Sequence, residues 1–162
     1  YWDNLDFLIV DLPPGTGDVQ LSLAQTVPIT GAVLVTTPQD VALADAVKAM
    51  NMFKMETIDV PILGVVENMS WFSPAELPDN KYFIFGKDGG KTLAKEAGTM
   101  LLGQVPIVQA VREGGDQGTP VFLNDEKPAI QKAFDKIAKN LLTQVAIRAE
   151  YLEPTKVVKI NE

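Results

Sequence analysis

The chain has 162 residues, of which 46% are hydrophobic and 22% are charged, and these values are typical of one globular domain with a sizeable core. It contains no cysteine and no histidine, which excludes disulfides, thiolate metal sites, cysteine nucleophiles and histidine general bases from this chain. The formal net charge of -7 and the lack of a long apolar stretch predict a cytoplasmic protein that binds neither nucleic acid nor membrane.

The first predicted strand is residues 7–10, a continuous apolar run that ends at Asp11. Such runs are typical of strands buried on both faces of a parallel sheet. A helix is predicted to begin at Asp18, whose side chain is expected to cap it, and to run towards Pro28. Residues 31–37 repeat the apolar pattern and predict the next strand.

The rest of the chain continues this alternation. Strands are predicted at residues 62–66 and 101–105, and helices from Asp40 to Met50, at residues 92–97 and from Ile130 to Val145. Strands alternating with helices imply βαβ units, so the predicted fold class is α/β, a parallel β-sheet flanked by helices. Residues 113–118 have the composition of a flexible loop. The tail from Glu153 has no clear period, which predicts a domain at residues 1–152 and a loosely ordered tail at 153–162.

The segment DLPPGTGD, residues 11–18, directly follows the first predicted strand. Ligands of open α/β sheets bind beyond the carboxyl ends of the strands, where an acidic residue such as Asp11 can hold magnesium through water. Gly15 and Gly17 would let backbone N–H groups approach a phosphate, while Pro13 and Pro14 would stiffen the turn. The alternative is an ordinary turn between a strand and a helix.

A second glycine-rich segment, GKDGGKT at residues 86–92, has only three residues between Gly86 and Gly90, whereas a P-loop needs four before its Gly-Lys pair. It is therefore interpreted as a turn that caps a helix, with Lys91 in solvent. Asn68 follows the third predicted strand and offers the donor and acceptor that reading a base edge requires, although asparagine there is usually a turn former. Residues 105–108 could line the same base, with simple packing as the alternative.

Taken together and in chain order, five segments resemble the Mrp/ApbC family, P-loop ATPases of the MinD-like group that carry iron–sulfur clusters. The segments are DLPPGTGDVQLSLAQ (11–25), VTTPQDVALADA (35–46), ENMSWF (67–72), FGKDGGKTLA (85–94) and LLGQVPI (101–107). The first is the most specific, and the order of the others adds support. The resemblance implies a partial MinD-like P-loop NTPase fold.

The resemblance also implies roles for matching positions. Asp11 is similar to the switch II aspartate that acts on magnesium, and Asn68 to the asparagine that reads adenine. The remaining implied cofactor-binding residues are Pro13, Gly15, Thr16 and Gly17 near the γ-phosphate, and Pro106 and Ile107 along the base. For the intact protein it implies ATP and magnesium as cofactors, ATP hydrolysis, a homodimer and iron–sulfur apoproteins as clients.

The sequence departs from the family pattern at two places. It contains no KGGxGK[ST] phosphate loop, which indicates the carboxyl-terminal half of such an ATPase, unable by itself to bind or hydrolyse ATP with useful affinity. Pro74 and Leu77 occupy the positions of the family's CxxC pair, and neither can ligate iron. The resemblance therefore supports the ATPase more strongly than a cluster. The alternative functions are a MinD- or ParA-like nucleotide-switched positioning protein and a non-catalytic interaction module.

Overall fold

The computed structural model describes residues 4–121 and 128–152. The elements in chain order are α1 (Asp18–Thr26), β1 (Ala32–Thr36), α2 (Asp40–Phe53), β2 (Ile62–Glu67), α3 (Gly89–Ala97), β3 (Leu101–Gln104), α4 (Gln109–Gln117) and α5 (Pro128–Tyr151). The predicted tail at 153–162 lies outside the described residues.

The three strands form one sheet in the order β1-β2-β3, and both pairs are parallel. Strand β2 is therefore central, which explains why it reads as a continuous apolar run and why Val65 is fully buried. Strand β1 lies at the end of the sheet and exposes Val35, so it is not buried on both faces as its sequence suggested.

Helices cover both faces of this sheet. Successive residues of a strand point to opposite faces, and neighbours such as Val65 and Val66 belong to two separate core clusters. The first cluster joins the sheet to α1, α2 and α3, while the second joins it to α4 and α5. The apolar stripe on α5 packs in the second cluster through Ile130, Phe134, Ile137 and Leu141. The α/β prediction with a helix-flanked parallel sheet is therefore confirmed.

The prediction of a strand at residues 7–10 is wrong. The segment has no regular secondary structure, and its side chains are exposed, with Ile9 at 84%. An apolar run becomes a buried strand only where a neighbouring strand pairs with its N–H and C=O groups. No strand within residues 4–121 and 128–152 pairs with this one. Asp11 consequently does not stand at the end of a paired strand.

Three local predictions also need correction. Gly17 is the N-cap of α1 and no side chain caps this helix, so Asp18 is its first helical residue. Helix α3 begins at Gly89, earlier than expected, and includes the second half of the glycine-rich segment. Residues 113–118 are not a loop, because most of them belong to α4. Ion pairing of Arg112 with Asp116, one turn away, stabilises the helical conformation there.

No helix in the described part of the chain is both long and apolar enough to cross a membrane.

Candidate functional site

The candidate site is built from loops that follow the parallel strands. The carboxyl ends of such strands meet at one edge of a sheet, which is where ligands bind in open α/β folds. Here that edge is formed by Thr37 after β1, by Asn68 after β2 and by Val105 after β3. The Asn68 N–H donates to the Thr36 carbonyl at 2.8 Å, so the first two loops are connected directly.

The structure brings together three of the predicted site residues, Asn68, Pro106 and Ile107. The Ser70 N–H donates to the Val105 carbonyl at 3.0 Å, and the Ile107 N–H donates to the Trp71 carbonyl at 2.7 Å. These bonds lie just after Asn68 on one chain segment and on either side of Pro106 on the other. All three predicted residues are half-buried, so each keeps part of its surface accessible to a ligand.

The Asn68 side chain is oriented by the backbone next to it. Its Oδ1 accepts a hydrogen bond from the Met69 N–H at 2.9 Å, and Met69 has a φ of 54°. A non-glycine residue in this left-handed region is uncommon and is typical of a tight turn. A carboxamide has two donors and two acceptor lone pairs, so this bond uses only one of four. Asn68 can thus form a turn and still present its amide to a base edge.

The second part of the predicted site is the loop at residues 11–17. Asp11, Pro13, Gly15, Thr16 and Gly17 are all exposed. Gly15 has a φ of 100°, a conformation that side-chain-bearing residues rarely adopt, so the backbone alone accounts for a glycine at this position. The hydrogen bonds of this loop run to α1 and not to the loops that follow β2 and β3.

Gln20 holds this loop in place, and the sequence analysis missed it. Its side chain is 4% exposed, and its Nε2 donates to the carbonyls of Pro13 at 2.7 Å and Gly15 at 3.1 Å. The signal was present, because Gln20 lies four residues before the buried Ala24 on the inward face of α1. A glutamine on an apolar helix face needs hydrogen-bond partners, and the carbonyls of a neighbouring loop are suitable ones.

A third feature is the loop at residues 71–88, which connects β2 to α3. It contains a short antiparallel pairing of Phe72 with Tyr82, and the Lys81 Nζ lies 4.0 Å from the centre of the Trp71 ring. Between these residues the Leu77 N–H donates to the Pro74 carbonyl at 3.1 Å, closing a tight turn. This connection is therefore an ordered loop with its own hydrogen bonds.

The described residues contain no group of three or more Asp and Glu side chains that could hold a metal ion. Asp11 therefore does not belong to a protein cage. A single exposed carboxylate is compatible with magnesium, which keeps several waters and uses one or two carboxylates together with phosphate oxygens.

Comparison with known proteins identifies close relatives. Residues 1–142 match the ParA family, described as NUBPL iron-transfer P-loop NTPases. The iron–sulfur cluster carrier protein of Synechocystis is 49% identical over 148 residues, which are 91% of this chain and 41% of that protein. The chain thus spans less than half the length of the curated relatives that it matches.

Two solved structures share the fold. A nucleotide-binding protein from Archaeoglobus fulgidus, in complex with ADP, is 34% identical with a TM-score of 0.61, covering 70% of this chain and 46% of that one. The cell division ATPase MinD from Pyrococcus furiosus is 25% identical with a TM-score of 0.51, covering 70% of this chain and 43% of that one.

The role of Gln20 can be tested by Gln20→Ala. Its two carbonyl partners lie in an exposed loop and can be rehydrated, so we expect a loss of only about 1 kcal/mol in the free energy of unfolding. The loop at residues 11–17 should become mobile, which backbone NMR order parameters at Gly15 and Thr16 would report. Gln25→Ala, the same substitution on the same helix, is the control and should leave the order parameters unchanged. Unchanged values in both variants would show that Gln20 does not hold the loop.

Proposed function

The chain belongs to the ParA family of NUBPL iron-transfer P-loop NTPases, and from this premise we propose that it supplies the base-reading and magnesium-linked parts of an ATP-hydrolysing iron–sulfur cluster carrier. The observation that carries the proposal is the set of backbone hydrogen bonds that join Glu67, Ser70 and Trp71, on either side of Asn68, to residues 105–107 at the carboxyl edge of the sheet. These bonds bring Asn68 beside Pro106 and Ile107, a polar group beside an apolar wall, which suits an adenine base.

In this proposal each part of the edge has a separate task. The Asn68 amide hydrogen-bonds the base edge, and Pro106 and Ile107 pack against the base. Asp11 holds a water of magnesium, whose charge, when the ion is bound, offsets that of the phosphates. The segment of Pro13, Gly15, Thr16 and Gly17 follows the γ-phosphate, and Gln20 restricts its positions. Binding of ADP by the Archaeoglobus relative supports the choice of an adenine nucleotide.

We also propose that residues 1–152 are the carboxyl-terminal portion of a P-loop ATPase domain. Two observations support this. The sequence contains no KGGxGK[ST] segment, and the apolar residues 7–10 are exposed and pair with no described strand. A homodimer and iron–sulfur apoprotein clients belong to the same proposal, on the strength of the curated relatives named as carriers.

A positioning protein of the MinD type is the second candidate. The observation in its favour is the fold shared with the Pyrococcus ATPase, but the identity is 25% there against 49% for the Synechocystis carrier. The carrier function is therefore preferred.

Calorimetric titration with ATP and magnesium tests whether this chain, which lacks a phosphate loop, can bind the nucleotide by itself. We expect no saturable heat from this chain, because adenine contacts without a Gly-Lys phosphate cradle leave most of the nucleotide's charge unbound. The nucleotide-binding protein from Archaeoglobus fulgidus, whose structure contains ADP, is the positive control under the same conditions. Tight saturable binding by this chain would contradict the proposal, since it would mean that the residues present here hold the phosphates unaided.

The binding of an iron–sulfur cluster, the proposed cargo, can be examined at the turn formed by residues 74–77. The hydrogen bond from Leu77 to Pro74 has the i to i+3 spacing of a β-turn, which brings the two Cα atoms within about 7 Å. Two cysteines at these positions would place two thiolates on one turn, and closely spaced cysteine thiolates are the ligands of iron–sulfur clusters. The loop thus retains a turn suited to ligands although the ligands themselves are missing.

Reconstitution with iron and sulfide under anaerobic conditions tests this interpretation. We expect no cluster absorption from the natural chain, because it contains no cysteine. The double variant Pro74→Cys with Leu77→Cys should gain visible absorption and associate into dimers, since one chain then supplies only two of the four thiolates that a cluster requires. Pro74→Ser with Leu77→Ser is the control. A stoichiometric cluster on the natural chain would show that other groups ligate iron.

A further inference from the structure

Glu67, the last residue of β2, is a carboxylate buried in the middle of the candidate site. Its exposed fraction is 0%, and a buried carboxylate is costly unless hydrogen bonds compensate it. Its Oε2 accepts a hydrogen bond from the Gly90 N–H at 2.6 Å, and its Oε1 accepts one from the Gln104 Nε2 at 2.7 Å. The two donors come from α3 and β3, so one side chain connects three elements.

The glycines at the start of α3 fit closely around this carboxylate and the loop after β1. A Cβ atom added to Gly90 would lie 2.7 Å from the Glu67 Cβ, and one added to Gly89 would lie 2.7 Å from the Pro38 carbonyl oxygen. Real side chains do not tolerate such distances. The glycines of GKDGGKT therefore allow the first turn of α3 to approach β2 and the loop after β1, which gives this motif a packing role instead of a phosphate-binding one.

Glu67 also closes the 71–88 loop at its base. Its backbone carbonyl accepts a hydrogen bond from the Ser70 Oγ at 2.8 Å, just before the loop, while its carboxylate binds Gly90, just after it. Both ends of the loop are thus held by one residue. The same carbonyl accepts a hydrogen bond from the Val105 N–H at 2.9 Å, so Glu67 is also bonded to the segment after β3.

The loop and the segment after β3 are in turn bonded to each other. Trp71 accepts from Ile107, and Phe72 and Tyr82 exchange two backbone hydrogen bonds of 2.9 and 2.8 Å. Phe72 also forms a parallel bridge with Ile107. A displacement at the base of the loop would consequently reach Ile107 through a short series of backbone contacts.

We propose that Glu67 is a positioning residue whose carboxylate sets the 71–88 loop relative to residues 105–107. The loop bears Pro74 and Leu77, and the second segment bears Pro106 and Ile107. Glu67 thereby fixes the distance between the position of the cargo turn and the wall of the base site. The meaning of those two positions rests on the proposed function, whereas the positioning itself is a property of this chain.

Amide hydrogen exchange of the complete chain, followed by NMR without nucleotide or iron, tests the proposal. Glu67→Ala leaves the Gly90 N–H and the Gln104 amide without their acceptor in a buried place. We expect exchange at Tyr82 and Ile107 to accelerate about tenfold relative to exchange at Val65 in the sheet core.

Two variants separate positioning from a general loss of stability. Val60→Ala removes a buried side chain from the first core cluster, and at matched loss of stability, set by adding denaturant, it should leave the ratio of loop to core exchange unchanged. In Glu67→Gln, the ratio of loop to core exchange rates should lie within about threefold of its value in the natural chain. The introduced amide oxygen accepts from Gly90, and the Gln104 amide can reverse to accept from the introduced nitrogen.

Gly90→Ala provides an independent route if Glu67→Ala does not fold. This substitution displaces the first turn of α3 while the Glu67 carboxylate remains in the chain. It should also accelerate amide exchange in the loop about tenfold relative to amide exchange in the sheet core. Equal acceleration of loop and core exchange in the Glu67 and Gly90 variants would overturn the proposal, as would failure of Glu67→Gln to restore protection. Because no nucleotide or iron is present, a failure here is distinguishable from a failure of the proposed function.

Discussion

The structure depends on the pairing of β2 with a parallel strand on each side. A parallel sheet needs hydrogen-bond partners along its strands and helices over both faces, and only β2 has both neighbours among the described strands. This requirement explains its continuous apolar sequence. It also explains why the loops after three strands meet at one edge, since parallel strands end on the same side.

The candidate site results from that edge and from polar side chains buried beneath it. Asn68, Pro106 and Ile107 are exposed enough to meet a ligand, while Glu67 and Gln104 lie below them and join the strands. Gln20 has the corresponding place under the loop at residues 11–17. In both cases the residue that contacts a ligand in the proposed function differs from the residue that holds the loop. The residue that holds the loop uses its side-chain amide or carboxylate in hydrogen bonds within the protein, as polar groups away from solvent generally do.

Membership of the iron-transfer family places these features in a functional setting, and the chain itself contains no cysteine. The loop that bears Pro74 and Leu77 has an ordered turn, an aromatic pairing and a cation stacked on Trp71. The loop is bonded to the segment after β3 through the Ile107 N–H, which donates to the Trp71 carbonyl, and through the bridge of Phe72 with Ile107.

The sequence by itself determined the α/β class, three of the strands, the long terminal helix and the family, because apolar periodicity and specific motifs are local signals. It also placed Asn68 and residues 105–108 after neighbouring parallel strands, which end at one edge of the sheet, while their role in binding a base stays a prediction. Only the tertiary structure decided that residues 7–10 are exposed, that Gln20 and Glu67 hold the loops, and that residues 113–118 are mostly helical. Those outcomes depend on which groups distant in the chain become neighbours, and a hydrogen bond between residues 23 positions apart, as between Gly90 and Glu67, leaves no local pattern.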